Sequence, residues 1–402
     1  MKILMFCSNP VNGGTARIFY ELAASMRSML CDADKLIACV NQDNPVEIYK
    51  DIKDLERLPV YSEAEVCHGM YGGNALKRIV NRFHRKLRFQ AIRKHNIAVM
   101  QEYLEKNHID AVIIHNGGYV GDDLCNQMLT AAFSRGERLQ HRIYVLHNDM
   151  EKSLCSKLQF WTYDKRVSKE ATEIVTVSKY TRNRILASSF INKDIKVIYN
   201  GISDMSMMPR EDKLSKVHIG LEKINVLMIG NFQDNKGQHK FLEAASELNK
   251  KGHIYHFTII GNIYDKDYFQ KCSSLIKKFG LEQNTSIYHG IHNASEFIGL
   301  FDILAVPSLY DESFGLISVE AMANSRPVVA FACGGIPEIV LDGRNGFIVP
   351  VGDSKKMAER IEWLAEHPED RGHMGEQGRK DYEEKFSAER MASEYMEVLG
   401  LK

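Results

Sequence analysis

Short, continuously apolar runs rich in β-formers recur along this chain, separated by stretches of helical periodicity. This alternation restricts the possible folds more than any other feature. In the first half the runs are Ile3–Cys7, Leu36–Val40, Ala111–Ile114, Arg142–Leu146, Glu173–Val177 and Ile195–Tyr199. In the second they are Asn225–Ile229, His256–Ile260, Thr285–His289, Ile303–Val306, Pro327–Phe331 and Gly346–Val349. A strand wet on one face alternates apolar and polar residues; these runs do not. Each is therefore expected to be buried on both faces, in a parallel sheet with helices packed outside. Two sets of about six strands predict two doubly wound α/β domains rather than one large sheet, and 402 residues suit two such cores. The polar stretch from Gly201 to Lys223 marks the expected boundary, with a first domain over 1–205 and a second over 206–386.

Composition excludes several classes. Fifty-two basic residues balance 52 acidic ones, so no global charge points to nucleic acid. The cysteines are scattered, without a CxxC pair or zinc-type spacing, and read as reduced thiols of a cytoplasmic protein. The opening MKILMFCSNP is too short for a signal peptide and reads as a first strand. No stretch has the apolar length of a membrane span, so any meeting with a membrane is expected from its surface.

Doubly wound sheets bind ligands at the carboxyl ends of their strands, and the informative residues follow the strands here. After Ile303–Val306 comes PSLYDESFGLISVEAMA, residues 307–323, in which a turn enters a helix. Gly315 lets backbone amides at the helix start approach a ligand, and those amides with the helix dipole favour a phosphate. Glu312 and Glu320 flank that position. Two carboxylates around an anion site suit a ligand with a diphosphate in the middle and hydroxyls at both ends. After Asn225–Ile229, the segment Gly230-Asn-Phe-Gln-Asp-Asn-Lys236-Gly237 places a lysine near a helix start, where it serves a phosphate or is an ordinary surface residue. Gly13 and Gly14, before the first helix, admit a phosphate or sugar or form a plain tight turn. His115 and His147 each follow a strand, a position shared by ligand-facing and structural histidines. Residues 74–101 carry no acid but hold Lys77, Arg78, Arg82, Arg85, Lys86, Arg88, Arg93 and Lys94 around apolar positions at helical spacing. Such a basic helix over 76–94 lies on an anionic bilayer, receives a diphosphate-bearing acceptor, or is a solvated face over a core stripe.

In order and spacing, these segments resemble the retaining glycosyltransferases of family 4. The matching pieces are Glu312-x7-Glu320, GGIPE at 334–338, DGRNGF at 342–347, NKG at 235–237, YNG at 199–201, VSKYTR at 177–182 and the Gly13-Gly14 loop. The resemblance implies the GT-B architecture, two facing Rossmann-like domains with a C-terminal helix, about 387–402, crossing back to the first. It implies a donor site in which Glu320 takes the ribose diol. The amides of Phe314, Gly315 and Leu316, with Lys236, hold the diphosphate, Glu312 contacts the transferred sugar, and Ile291 and His292 hold the base. Gly13 and Gly14 would approach the diphosphate and His147 the donor sugar; its strand position matches the family's histidine better than that of His115. One departure stands out: many members have Gly-Arg where this chain has Gly230-Asn231, which removes a positive charge from the diphosphate.

The resemblance further implies sugar transfer from a nucleotide-diphosphate sugar, a uridine diphosphate sugar foremost, to a saccharide or lipid-linked saccharide, as in cell-surface polysaccharide synthesis. No cofactor and no metal ion are expected, since fixed amides and Lys236 stabilise the leaving group. Asp32-Ala-Asp34 and Asp265-Lys-Asp267 read as loop charges rather than metal ligands. A nucleotide-sugar epimerase of the same architecture and a non-catalytic sugar-nucleotide-binding subunit stand as alternatives. A dinucleotide dehydrogenase lacks its GxGxxG with a downstream acid.

Overall fold

The computed structural model describes residues 1–9, 13–62, 75–117, 123–148, 160–204, 216–220, 222–252, 254–291, 293–310 and 312–401, with side chains of the helix beginning at 75 described from 87 onward. The chain divides into two compact units, Met1–Gly201 with Met391–Lys402, and Ile202–Arg390. These limits differ by four residues from the 205/206 boundary expected from polarity and from the 386/387 limit that the resemblance implies. The reason is local hydrogen bonding. Ile202 donates to the Phe386 carbonyl and accepts from the Ala388 amide, both at 3.0 Å, and Tyr382 Oη donates to the Ile202 carbonyl at 2.9 Å. Arg379 holds the Asp204 carboxylate at 3.0 Å. The segment 202–204 is thereby bound into the second unit.

The first unit runs β1 (Lys2–Cys7), α1 (Gly14–Met29), β2 (Lys35–Asn41), β3 (Glu56–Leu58), α2 (Ala75–Lys106), β4 (Ala111–Asn116), α3 (Asp123–Phe133), β5 (His141–Leu146), α4 (Trp161–Glu170), β6 (Glu173–Thr176), α5 (Lys179–Ser188) and β7 (Ile195–Val197). Its sheet has the order β3-β2-β1-β4-β5-β6-β7, with every pairing parallel. The interior strands are buried along their length, as continuous apolar runs require. β3 escapes the apolar-run pattern because only Leu58 of its three residues is buried. Helix α2 extends well past 94 because Met100 and Leu104 continue its buried stripe. Its fully buried Asn96 is satisfied: Oδ1 accepts from the Tyr61 amide at 3.2 Å and Nδ2 donates to the Tyr61 carbonyl at 2.9 Å.

The second unit runs β8 (Ile224–Ile229), α6 (Gln238–Asn249), β9 (Tyr255–Ile260), α7 (Lys266–Lys278), β10 (Thr285–Tyr288), β11 (Ile303–Val306), α8 (Leu316–Ala323), β12 (Val328–Phe331), β13 (Gly346–Val349), α9 (Ser354–Glu366) and α10 (Pro368–Lys385). The last helix, α11 (Ala388–Val398), carries the chain into the first unit. The second sheet is parallel with the order β10-β9-β8-β11-β12-β13. The chain thus starts mid-sheet, winds to one edge, returns and winds to the other. At β8 and β11 the following helices leave in opposite senses, which opens a crevice at the carboxyl ends of these strands. The same reversal occurs at β1 and β4 in the first unit.

Residues 342–347 prove structural. Asn345 is fully buried, accepting from the Leu341 amide at 2.8 Å and donating to the Ile339 carbonyl and to Asp381, both at 3.1 Å. Arg344 Nη2 and Lys385 also reach Asp381, at 3.0 and 2.8 Å, so this turn is riveted to α10. Asp265 caps α7, accepting from the amides of Asp267 and Tyr268 at 3.0 and 2.9 Å. Among the described residues no helix is long and apolar enough to cross a membrane, and the six described cysteines are free thiols.

Candidate active site

The crevice of the second sheet is built by two loops that touch. After β8 the chain makes a single turn at Asp234–Lys236, and Gly237, at φ +72°, starts α6. After β11 it runs from Pro307 to Gly315, whose φ of +96° starts α8. Leu309 donates its amide to the Asn235 carbonyl at 2.8 Å. A Cβ at Gly237 would lie 2.0 Å from the Pro307 carbonyl oxygen, so this approach admits only glycine. The loops bring Lys236 Nζ to 2.8 Å from Glu312 Oε2, and Ser308 Oγ donates to the same oxygen at 3.3 Å. Lys236 and Glu312 keep 31% and 17% of their side-chain surface exposed. A pair this wet contributes at most about 1 kcal/mol, so a ligand that offers either partner a better contact can displace it.

Helix α8 begins at the end of the second loop. Its first amides have no intrahelical acceptor and point from its N-terminus. The Phe314 ring is buried, 6.1 Å edge-on from Phe386, so Phe314 offers a ligand its backbone alone. Gly315 and Leu316 form the helix start, and Glu320, 9% exposed, lies in the second turn. The loop is supported from below by Gly334 and Gly335. Gly335 donates its amide to the Glu312 carbonyl at 2.8 Å. A Cβ at Gly334 would lie 1.8 Å from that same oxygen, and one at Gly335 2.5 Å from the Ser313 oxygen. GGIPE at 334–338 is thus the floor under Glu312, a role that its turn-like composition alone does not disclose.

The departure at Asn231 acquires a role. Asn231 Oδ1 accepts the Asn262 amide at 3.2 Å, and Asn262 Oδ1 accepts the Gly290 amide at 3.0 Å. Two asparagines therefore tie together the loops that follow β8, β9 and β10. Buried Gln238 adds a clamp, its Nε2 donating to the carbonyls of Gly230 and Asn231 at 2.9 Å each. A Cβ at Gly261 would sit 2.0 Å from the Gly230 oxygen. The sequence signal is the repeated Ile-Gly-Asn at 229–231 and 260–262. Ile291, half-buried, follows Gly290 on the third of these loops; His292 lies outside the described residues.

In the first unit Gly13 caps α1 with φ −166°, and Cβ atoms at Gly13 or Gly14 would meet nothing within 4 Å among the described residues. Among the described residues neither backbone strain nor crowding there demands glycine. His147, after β5, is buried, and its ring stacks on that of His115, with centroids 5.2 Å apart; His115 lies within β4, one residue before its end, and not after the strand as its apolar run implied. His115 Nδ1 lies 3.0 Å from His147 Nε2. Burial holds both imidazoles neutral, His147 with its pKa lowered to about 4 and His115 well below its usual value through burial and the neighbouring ring. The two histidines form one hydrogen-bonded pair.

Comparison with known proteins bears on the whole chain. Residues 209–381 match the family model of glycosyl transferases group 1, and residues 12–204 that of glycosyltransferase family 4. The chain is 29% identical over 211 residues to N-acetyl-alpha-D-glucosaminyl L-malate synthase of Bacillus anthracis, covering 51% of this chain and 53% of the synthase. It is 26% identical over 228 residues to a capsular polysaccharide biosynthesis glycosyltransferase of Staphylococcus aureus, covering 54% and 59%. These matches span little more than half the length of either relative. The crystal structure of Anabaena HepE in complex with UDP superposes with a TM-score of 0.77 at 17% identity, over 100% of both chains. With the two family models lying end to end across two parallel-sheet units, the chain belongs to the group 1, family 4 glycosyltransferases and has the GT-B fold.

Proposed function

We propose that the chain transfers a hexosyl group, with retention of anomeric configuration, from a nucleoside-diphosphate sugar to a saccharide or lipid-linked saccharide of a cell-surface polysaccharide. The observation that carries this reading is Lys236 held against Glu312 beside the N-terminus of α8, at the strand-order reversal of the second sheet. A uridine diphosphate sugar is the first donor to test, a choice supported by the UDP bound to the Anabaena protein. The polysaccharide assignment is supported by the name of the capsular relative.

In this reading the amides of Phe314, Gly315 and Leu316 with Lys236 take the diphosphate, Glu320 the ribose, Ile291 and His292 the base, and Glu312 and His147 the transferred sugar. Gly13 and Gly14 are assigned to the approach to the diphosphate. The bond from the anomeric carbon to the diphosphate oxygen breaks, and the acceptor oxygen bonds to that carbon on the same face. The acceptor proton passes to the departing phosphate. Negative charge grows where the amides already point, which is electrostatic preorganisation, and Lys236 adds its charge there without a metal ion. Lys236 is freed for the diphosphate once Glu312 turns to sugar hydroxyls.

The basic helix is assigned to an anionic membrane surface or a charged acceptor. Its described part supports this, since Leu87, 51% exposed, stands beside exposed Arg88 and near exposed Lys94. If charge reversal at Arg88 and Lys94 leaves binding to anionic liposomes unaltered, that assignment is withdrawn.

The test is a panel of uridine, guanosine and adenosine diphosphate sugars, read by release of nucleoside diphosphate and by NMR of the product's anomeric proton. Lys236→Ala and Glu320→Ala are each expected to lower turnover about a hundredfold. Failure to bind any nucleoside diphosphate at millimolar concentration would overturn the reading, as would unchanged turnover in both variants. Change in the donor without an acceptor, with no nucleotide released, would reassign the chain to an epimerase.

A further inference from the structure

The His115–His147 contact has a chemical asymmetry. His115 Nδ1 and His147 Nε2 share one hydrogen bond of 3.0 Å, so one ring donates and the other accepts. His115 is fully buried, with Phe19 of α1 edge-on at 5.4 Å and Tyr395 of α11 at 6.3 Å. Its second nitrogen, Nε2, is buried and has no hydrogen-bond partner among the described residues. Among the described residues His147 Nδ1 makes no hydrogen bond either, while the His147 amide donates to the Asn116 carbonyl at 3.2 Å and fixes the backbone.

Both rings are neutral, so each carries one proton, and two arrangements are possible. If His147 Nε2 donates, the proton on His115 sits on Nε2 as a buried N–H without an acceptor. If His115 Nδ1 donates, Nε2 of His115 is a bare ring nitrogen, and His147 carries its proton on Nδ1. Among backbone groups an orphaned buried N–H is rarer than an under-satisfied acceptor, and the same preference applied to His115 favours the second arrangement.

We propose that His115 is a positioning residue that fixes the tautomer of His147, so that His147 presents Nδ1–H, a hydrogen-bond donor, to a substrate hydroxyl oxygen. The proposal rests on the assignment of His147 to the donor sugar. It makes that histidine a neutral donor that orients the sugar rather than a base that takes a proton. His115 itself need not touch substrate. It acts as the orienting residue does in any histidine pair, where the bond at one ring nitrogen decides what the other offers.

The test uses full-length protein with 15N-labelled histidine, read at pH 7.5 by long-range proton–nitrogen correlation, with His147 assigned through His147→Gln. Wild-type protein is expected to show His147 protonated on Nδ1. His115→Phe keeps the ring and removes the donor; it should move His147 toward the Nε2–H form and lower kcat by about tenfold, the value of one hydrogen bond. His115→Asn places an amide donor where Nδ1 stood, and should restore both the Nδ1–H signature and most of the activity. Should His115→Phe fail to fold, the wild-type and His115→Asn spectra still decide. A wild-type His147 protonated on Nε2 overturns the proposal, and so does a His147 signature that ignores the loss of His115. If the signatures follow expectation but no donor supports transfer, the tautomer assignment stands and the assignment of His147 to a sugar falls.

Discussion

Gly334→Ala tests the support under Glu312 most directly. Gly334 has φ +59°, and an added Cβ would lie 1.8 Å from the Glu312 carbonyl oxygen. Two costs follow. Alanine in the left-handed region costs about 1 kcal/mol. Relieving the clash requires the backbones at 312 and 334 to part by more than about 1 Å, which strains the Gly335–Glu312 hydrogen bond and adds about 2 kcal/mol as overpacking does. Gly352 is the control. Its φ of +82° is equally left-handed, but a Cβ there meets nothing within 4 Å, so Gly352→Ala should show the first cost alone. For a unit of this size each kcal/mol lowers the melting temperature by about 2–4 °C, giving about 6–12 °C for Gly334→Ala against about 2–4 °C for Gly352→Ala. Differential scanning calorimetry reads that difference. Isothermal titration with nucleoside diphosphate reads its consequence, an affinity loss of about tenfold or more in Gly334→Ala only. Equal melting temperatures for the two variants, or full nucleotide affinity in Gly334→Ala, would refute the role assigned to residues 334–335.

Glu312→Gln removes the charge that holds Lys236 while keeping the side chain's shape; nucleoside diphosphate should bind about fivefold tighter, the worth of a partly exposed ion pair, while turnover falls. Titration calorimetry beside a rate assay checks both signs. Asp381→Asn should cost about 2–3 kcal/mol in denaturant unfolding, because a buried carboxylate takes charge-assisted bonds from Arg344 and Lys385 as well as one from Asn345. Acid should weaken the first unit in a defined window. Burial depresses the pKa values of His115 and His147, that of His147 to about 4, so below about pH 6.5 the unfolded chain binds protons that the folded chain does not. Stability is then full above about pH 6.5 and falls by about 1.4 kcal/mol per pH unit for each histidine as the pH drops through that window. Urea midpoints at pH 7.5 and 5.5 measure this, and a slope that persists in the His115→Asn, His147→Asn double variant would exclude these residues as its source.

Much of the architecture is legible in the chain. Continuous apolar runs mark strands buried on both faces, and that burial is a property of composition and period. So is the helix that follows each strand. Glycines before helix starts, at 237 and 315, announce left-handed turns because their φ values suit no other residue well. The ordered set of Lys236, Glu312, Gly315 and Glu320 could be assembled because strand-end loops of a doubly wound sheet are predictable places for ligands.

The pairings of those residues are another matter, because they depend on distances between segments far apart in the chain. Lys236 and Glu312 meet across a hydrogen-bonded loop contact that no local pattern encodes. Gly334 reads as a turn glycine until the Glu312 carbonyl is found where its Cβ would be. Asn231 reads as a lost charge until its oxygen is found on the Asn262 amide. The boundary at Ile202 follows from backbone bonds to Phe386 and Ala388, not from the polarity of the stretch after it. His115 and His147 look like competitors because each follows a strand. Adjacent parallel strands carry their ends side by side, and with β4 beside β5 the two rings share a single proton position. Local sequence determined which elements form; packing alone decided which side chains touch, because contact depends on three-dimensional proximity rather than on order along the chain.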